Sequence, residues 1–311
     1  MTRPQGVLGL TFFMPEIHNA QAVQASAADT ARVPAQKGVF ILLPVLNEAE
    51  NIAELLDRIA SALTGVPHDI CIVDDGSRDG TVDYLQGRLA QPGHSLHLIR
   101  RRKTIRGSQR GSALHAALLW GLAKTRHEIF VEMDGDLSHR PEELPEGIDW
   151  VARGACDVAI ASKYLPGSRV TNRPWGRLMV SRVSSFAVGV VLTPRVRDYS
   201  NGYRFYSRAA AEAIAAHEIR YASPIYLSEA LALWLRGGLR VQEIRTTYIG
   251  RNEGVSKLRF VDLFKAALAI FEVGFRYHVT GFRRTDQRVQ DAREDGANAE
   301  VLGEGAVWPG E

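Results

Sequence analysis

Cysteine is almost absent from this chain: of 311 residues only Cys71 and Cys156 are thiols. Both fall inside strand-like apolar runs, DICIVDD and CDVAIAS, and neither stands in a C-x-x-C spacing. A thiolate metal site and a disulfide scaffold are thereby excluded, and the two read as buried free thiols of a reducing compartment. Charge of one sign is equally scarce. The 38 Lys and Arg against 35 Asp and Glu leave a formal charge of +3, too weak a field to hold nucleic acid. No run reaches the roughly 18 to 20 uninterrupted apolar residues that a membrane-spanning helix needs. Internal repeats are absent, and no G-x-G-x-x-G follows the first apolar run, which argues against a nicotinamide or flavin site. The opening MTRPQGVLGLTFFMPEIH carries an Arg and a short apolar patch, but Pro15 interrupts the patch and no cleavage site follows. It reads as a cytoplasmic start, with Met14 as an alternative first residue.

What is present is an apolar fraction of 45%, enough for a well-buried core. Residues 1–37, rich in Ala, Gln, Thr and Pro, read as a disordered leader, and the charged, Gly/Ala-rich stretch 282–311 as a disordered tail. Between them, strand and helix patterns alternate. VFILLP, a helix from about Glu48 to Ala62, DICIVDD, a helix from Thr81, SLHLIR, a helix from Gly111 to Lys124 and EIFVEMD follow in order. That order predicts an α/β fold, a doubly wound and mostly parallel sheet with helices on both faces. Beyond Pro141 we expect a helix near Glu142 to Arg153, the strand DVAIAS, a helix near Gly176 to Leu192, the strand NGYRFYS, a helix over Ile225 to Leu235 and the strand-like VQEIRTTYIG.

In such sheets ligands gather beyond the carboxyl ends of the strands. Three polar clusters stand there. Pro44-Val45-Leu46-Asn47-Glu48 closes the first strand, which by itself fits an ordinary strand-to-helix loop. Asp74-Asp75-Gly76-Ser77-Arg78-Asp79-Gly80-Thr81 closes the second. Adjacent carboxylates at a buried strand end are costly unless they meet donors, and the ring N–H and exocyclic amine of a nucleobase are such donors. A turn with Asp79 or Ser77 as helix cap accounts for the other members. Asp134-Gly135-Asp136-Leu137-Ser138-His139 follows the fourth strand. Carboxylates one residue apart can share a hard cation, and Mg²⁺ or Mn²⁺ held so keeps positions open for diphosphate oxygens. D-x-D tripeptides are also frequent in surface turns, so the position after the fourth strand carries the weight.

Six strings in order, LPVLNEAENI, IVDDGSRDGT, MDGDLSHRPEELP, SKYLPGSRV with RLMVSR, DYSNGYRFYSR and GRNEGVSKL, resemble the family 2 glycosyltransferases of the GT-A (Rossmann-like) fold. Within them the later strings are similar to polyprenyl-phosphate hexosyltransferases such as dolichol-phosphate mannose synthases. The resemblance covers about Val39 to Leu258 and implies a glycosyltransferase domain over 38–258. It implies that Pro44, Glu48, Asp75, Asp134 and Asp136 bind the nucleotide sugar, and that Asp134, Asp136 and Ser138 hold Mg²⁺ or Mn²⁺. It further implies that Lys163, Arg177, Ser181, Arg251 and Lys257 gather donor and acceptor phosphates, with Asp136, Arg177 and Arg251 nearest the chemistry. The partners so implied are a nucleotide diphosphate sugar, GDP-mannose foremost, and a polyprenyl phosphate. Leu46 stands where the family carries Tyr, Lys163 replaces an Arg and Asn201 a Ser, and the stretch RRKTIRGSQRG from Arg101 to Gly111 is longer and more basic than the family's loop.

A phosphate acceptor, already anionic near neutral pH, needs no general base. A sugar hydroxyl needs one, and Asp198 and Glu229 are the candidates. A family 2 enzyme with another donor sugar and a saccharide or soluble acceptor, or a non-catalytic nucleotide-sugar-binding protein, are the competing readings. A lipid acceptor also demands the bilayer surface. Residues 259–281 predict an amphipathic helix, with Phe260, Leu263, Phe264, Ala267, Leu268, Phe271 and Phe275 on one face and Asp262, Lys265, Glu272 and Arg276 on the other. It lies either in the membrane interface, making the protein peripheral at the cytoplasmic face, or against its own domain or a partner subunit.

Overall fold

The computed structural model describes residues 37–90, 95–101, 109–172, 175–250, 260–285 and 299–302. Arg251 and Lys257 lie outside them. Arg177 lies on a described helix, but its side chain is outside what is described.

The chain begins its sheet with the uninterrupted apolar run of β1 (Val39–Val45). Alternate residues point to opposite faces, and both faces are covered: Phe40 and Leu42 enter one core, Val39, Ile41, Leu43 and Val45 the other. Helix α1 (Ile52–Ala62) buries Ile52, Leu55, Leu56 and Ile59 at helical spacing. It starts later than its pattern predicts, because the amides before it are committed elsewhere. Asn47 takes a left-handed φ of 56°, and the N–H groups of Asn47, Glu48 and Ala49 donate to Ser77 Oγ, Thr81 Oγ1 and Asp79 Oδ2. The alternation continues through β2 (His68–Asp74), α2 (Thr81–Leu89), β3 (Leu96–Arg101), α3 (Arg110–Lys124) and β4 (Ile129–Glu132). After a 3-10 turn at Pro141–Glu143 come α4 (Leu144–Ala152), β5 (Val158–Ser162), β6 (Arg169–Thr171), α5 (Trp175–Val191) and β7 (Arg204–Ser207). Then follow α6 (Arg208–Ala215), α7 (Tyr226–Arg236), β8 (Val241–Arg245), β9 (Thr247–Ile249), α8 (Phe260–Phe275) and β10 (Ala299–Leu302).

The main sheet has eight strands in the order β10-β3-β2-β1-β4-β7-β5-β8, and β6 pairs with β9 in a second, two-stranded sheet. All neighbours in the main sheet are parallel except at β7 and β10. The pattern beyond Pro141 gave no warning of α6, which Ser207 caps by accepting the Ala210 N–H, nor of β6. β10 forms in the stretch expected to be a disordered tail and pairs with β3. Cys71 and Cys156 are both buried and unpaired, as their apolar surroundings require.

Two topological facts position the site. Strands β1, β2 and β4 are parallel, so the three polar clusters emerge at one edge. Strand β7 runs against β4 and β5, with Arg204 opposite Glu132 and Ile160, so its beginning lies at that same edge. The segment 198–203 therefore joins the carboxyl ends of β4 and β5.

Helix α8 presents one face to the domain and another to the outside. Ala269 and Val273 are buried on the side that faces the domain, with Lys265 exposed; there Glu272 accepts Arg220 Nη1 and the Tyr221 hydroxyl, each at 2.6 Å, and Arg276, in the π-helical turn that follows, pairs with the buried Glu229. Its apolar side faces outward, with Phe271 65% and Phe275 56% exposed beside Leu268 and Val279. Helix α5 shows a similar outward row of Trp175, Met179, Val183, Phe186 and Val190, in which Phe186 is 73% exposed. The helices meet where Gly274 packs on Val191 and His278 Nε2 reaches Val191 O at 2.9 Å. No helix among the described residues is long and apolar enough to cross a membrane.

Candidate active site

The turn after β2 separates the duties of its two acids. Asp74 Oδ2 accepts the N–H groups of Gly76 and Ser77 at 3.0 and 3.1 Å, so it builds the turn, with Gly76 at a φ of 93°. Asp75 points the other way and is met by Arg101, whose Nε and Nη2 both donate to Asp75 Oδ1 at 2.9 and 2.5 Å. The first two clusters are tied by the Asn47, Glu48 and Ala49 amides described above. The first and third meet at Gly135, where a Cβ would lie 3.0 Å from Val45 Cγ1 and 3.5 Å from both Glu48 Cγ and Pro44 O. Pro44, Glu48, Asp134 and Asp136 are thus brought together, and the turn that carries Asp75 is tied to the first of these clusters. Leu46, on the first of these turns, is exposed.

Asp134 and Asp136 project beyond β4 on a turn in which Leu137 takes a left-handed φ of 58°. Asp136 Oδ1 accepts the Ser138 N–H at 3.0 Å. Ser138 Oγ is buried and has no hydrogen-bond partner among the described residues. An orphaned hydroxyl beside two carboxylates is the hard-oxygen chemistry that suits Mg²⁺ or Mn²⁺. No group of three or more His, Cys, Asp or Glu side chains among the described residues is arranged to hold a metal. The set fits a cation whose remaining ligands come from a substrate. Ile249 N–H donates to Ser138 O at 3.1 Å, so β9 ends alongside this turn.

Two residues that sequence reasoning did not single out complete the acidic side. Arg110, the first residue of α3, donates from Nε to Asp134 Oδ1 at 2.5 Å. His139 accepts the Asp134 N–H on Nδ1 at 3.0 Å, which puts its proton on Nε2, facing Asn201 Oδ1 at 3.0 Å. Burial lowers the His139 pKa against the pull of Asp134 and Asp136, so the ring is neutral, and it stacks on Tyr203 at 4.9 Å. The only hint of Arg101 and Arg110 in the sequence was the unusually basic stretch they bracket.

A second polar group is built around Lys163 and Ser181. Lys163 Nζ is 3.3 Å from Asp198 Oδ2 and 3.5 Å from Ser200 Oγ, and sits 5.1 Å from the ring centre of Tyr248. The Tyr164 hydroxyl donates to Ser181 Oγ at 2.8 Å, and the Ser181 and Ser200 hydroxyls are 3.3 Å apart. Lys163 and Ser181, 18 residues apart in sequence, are thereby brought together, with Tyr164 and Ser200 as members the sequence did not reveal.

Neither candidate base is placed to take a proton. Asp198 is wholly buried and accepts the Lys163 N–H on one oxygen and the Ser200 and Asn201 N–H groups on the other. Glu229 is wholly buried too, and accepts the Arg220 and Tyr221 N–H groups besides pairing with Arg276. Burial pushes its carboxyl up while those donors hold it down. Both are structural.

Residues 40–215, more than half of the chain, match the model of glycosyl transferase family 2, and the chain belongs to that family. It is a glycosyltransferase with the GT-A sheet. It is 34% identical to the polyprenol monophosphomannose synthase of Mycolicibacterium smegmatis over 81% of this chain and 93% of that one. To the undecaprenyl-phosphate mannosyltransferase of Micrococcus luteus it is 33% identical over 71% of this chain and 87% of that one. Among solved structures, glucosyl-3-phosphoglycerate synthase from Mycobacterium tuberculosis, in complex with Mn²⁺, UDP and glucosyl-3-phosphoglycerate, superposes with a TM-score of 0.54. That match covers 78% of this chain and 80% of the other at 18% identity, a likeness of fold.

Proposed function

We propose that this glycosyltransferase moves mannose from GDP-mannose to a polyprenyl phosphate, with inversion, at the cytoplasmic face of a membrane. The observation that carries this reading is the commitment of Asp198 and Glu229 to structural hydrogen bonds, together with a cation-and-hydroxyl cluster of Lys163, Tyr164, Ser181 and Ser200 built against Asp198. A hydroxyl acceptor would need a base and neither candidate serves; a phosphate monoester, with a second pKa of about 6, needs charge and donors instead. The family resemblance assigns Arg177, Arg251 and Lys257 to the same phosphates. The names of both relatives support the acceptor and the sugar.

Pro44, Glu48 and Asp75 line the nucleoside side of the crevice, and Asp134, Asp136 and Ser138 would hold Mg²⁺ or Mn²⁺. When bound there, such an ion neutralises charge on the departing diphosphate. Lys163, Ser181 and Ser200 hold the acceptor phosphate in line with the anomeric carbon, and a single in-line displacement inverts that carbon. The outward apolar rows of α5 and α8 supply the contact that a lipid-borne acceptor demands.

The test is a panel of GDP-mannose, GDP-glucose, UDP-glucose and UDP-galactose, each offered with undecaprenyl and dolichyl phosphate or with free saccharides. The reading expects a mannosyl phospholipid from GDP-mannose and no transfer by Asp136→Asn. Transfer to a saccharide hydroxyl, with none to the lipid, would overturn it.

A further inference from the structure

Arg110 has no part in the roles assigned above, yet it is one of the most closely held side chains of the site. Its guanidinium lies over Gly202, where a Cβ would overlap Nη1, Nη2 and Cζ together. The missing side chain at Gly202 is what leaves room for it. From that slot Nε reaches Asp134 Oδ1 at 2.5 Å, while the other carboxylate oxygen faces His139 Nε2 at 3.7 Å.

We infer that Arg110 is a positioning residue that occupies Asp134 in the donor-free protein and makes cation binding depend on arrival of the nucleotide diphosphate. This rests on the donor-site reading of Asp134 and Asp136. Two observations carry it. The described residues include no complete metal cage, so a cation bound to protein alone would be under-coordinated. A guanidinium already on Asp134 Oδ1 also repels a divalent ion on the same carboxylate, at a site where both side chains are only partly exposed. Diphosphate oxygens relieve both conditions at once, as ligands and as negative charge that balances the guanidinium.

The experiment titrates the full-length, donor-free protein with Mn²⁺ alone and follows the free ion by its electron paramagnetic resonance signal. Arg110→Leu is expected to bind Mn²⁺ at least about tenfold more tightly than the parent, and Arg110→Lys to remain close to it. A structural role would give the opposite sign, since a disordered Asp134 binds more weakly. Gly202→Ala, which drives the guanidinium off Asp134 without removing its charge from the chain, should also tighten binding and serves if Arg110→Leu does not fold. Equal or weaker Mn²⁺ binding in folded Arg110→Leu or Gly202→Ala, with binding still lost in Asp136→Asn, overturns this inference alone. Binding that survives Asp136→Asn overturns the metal reading beneath it.

Discussion

His139 and Asn201, 62 residues apart in sequence, meet at 3.0 Å and close a chain of contacts from Asp134 to Lys163. Asp134 donates its N–H to His139, His139 donates to Asn201, Asn201 donates its N–H to Asp198, and Asp198 receives Lys163. The proposed donor and acceptor sides are thus held in one register by buried hydrogen bonds.

Removing the middle of that chain should loosen both ends. Asn201→Ala is expected to lower kcat about 10- to 100-fold, as loss of the residues that orient ligands commonly does. Circular dichroism would show the fold retained. Unchanged kcat would mean that the two sides are positioned independently.

The outward rows of α5 and α8 should bind lipid. Phe186→Asp combined with Phe271→Asp is expected to abolish co-sedimentation with anionic liposomes and leave the melting temperature within a few degrees of the parent, since both side chains are exposed. Undiminished sedimentation would reassign these rows to a protein partner.

Glycine at position 147 is dictated by packing. A Cβ there would run into the ring of Phe205, which is wholly buried. Gly147→Ala should cost about 1–3 kcal/mol despite the better helix propensity of Ala, read as a lower denaturant midpoint with unchanged slope.

The Arg58–Glu142 pair, with its two hydrogen bonds of 2.8 and 2.9 Å, gives a pH dependence whose sign is fixed. Arg58 holds the Glu142 carboxyl at about 2, below its ordinary 4.5. A depressed carboxyl contributes stability that is present above about 4.5 and is lost as pH falls toward about 2. Glu142→Gln should therefore be less stable than the parent at pH 7, by under about 1 kcal/mol because the pair is partly exposed. The two should converge near pH 2, as read by denaturant titrations across that range.

Much of this molecule was legible in its sequence because its first half uses local signals. Continuous apolar runs such as VFILLPV fit only a strand covered on both faces, and each ends in a polar cluster. The acidic clusters were legible for that reason. The cationic and hydroxyl side was less so, because Ser200 comes from the approach to the reversed strand β7, Tyr164 from the loop after β5 and Ser181 from α5, which share no periodic trace. Amphipathicity predicted α8 but not which side faces the domain. Glu272 and Arg276 bind Arg220, Tyr221 and Glu229, and those partners come from elsewhere in the chain. β10 joins β3 as an edge strand whose brevity hides it from composition.

The exposed rows on α5 and α8 also govern how the protein behaves as a material. A surface carrying Trp175, Phe186, Phe271 and Phe275 in the open is sticky toward its own kind wherever no bilayer is offered. In lipid-free buffer, then, the colloidal state of a preparation should vary with concentration and detergent. Turnover measured there will report how many molecules have hidden their landing gear against one another as well as how fast each one works.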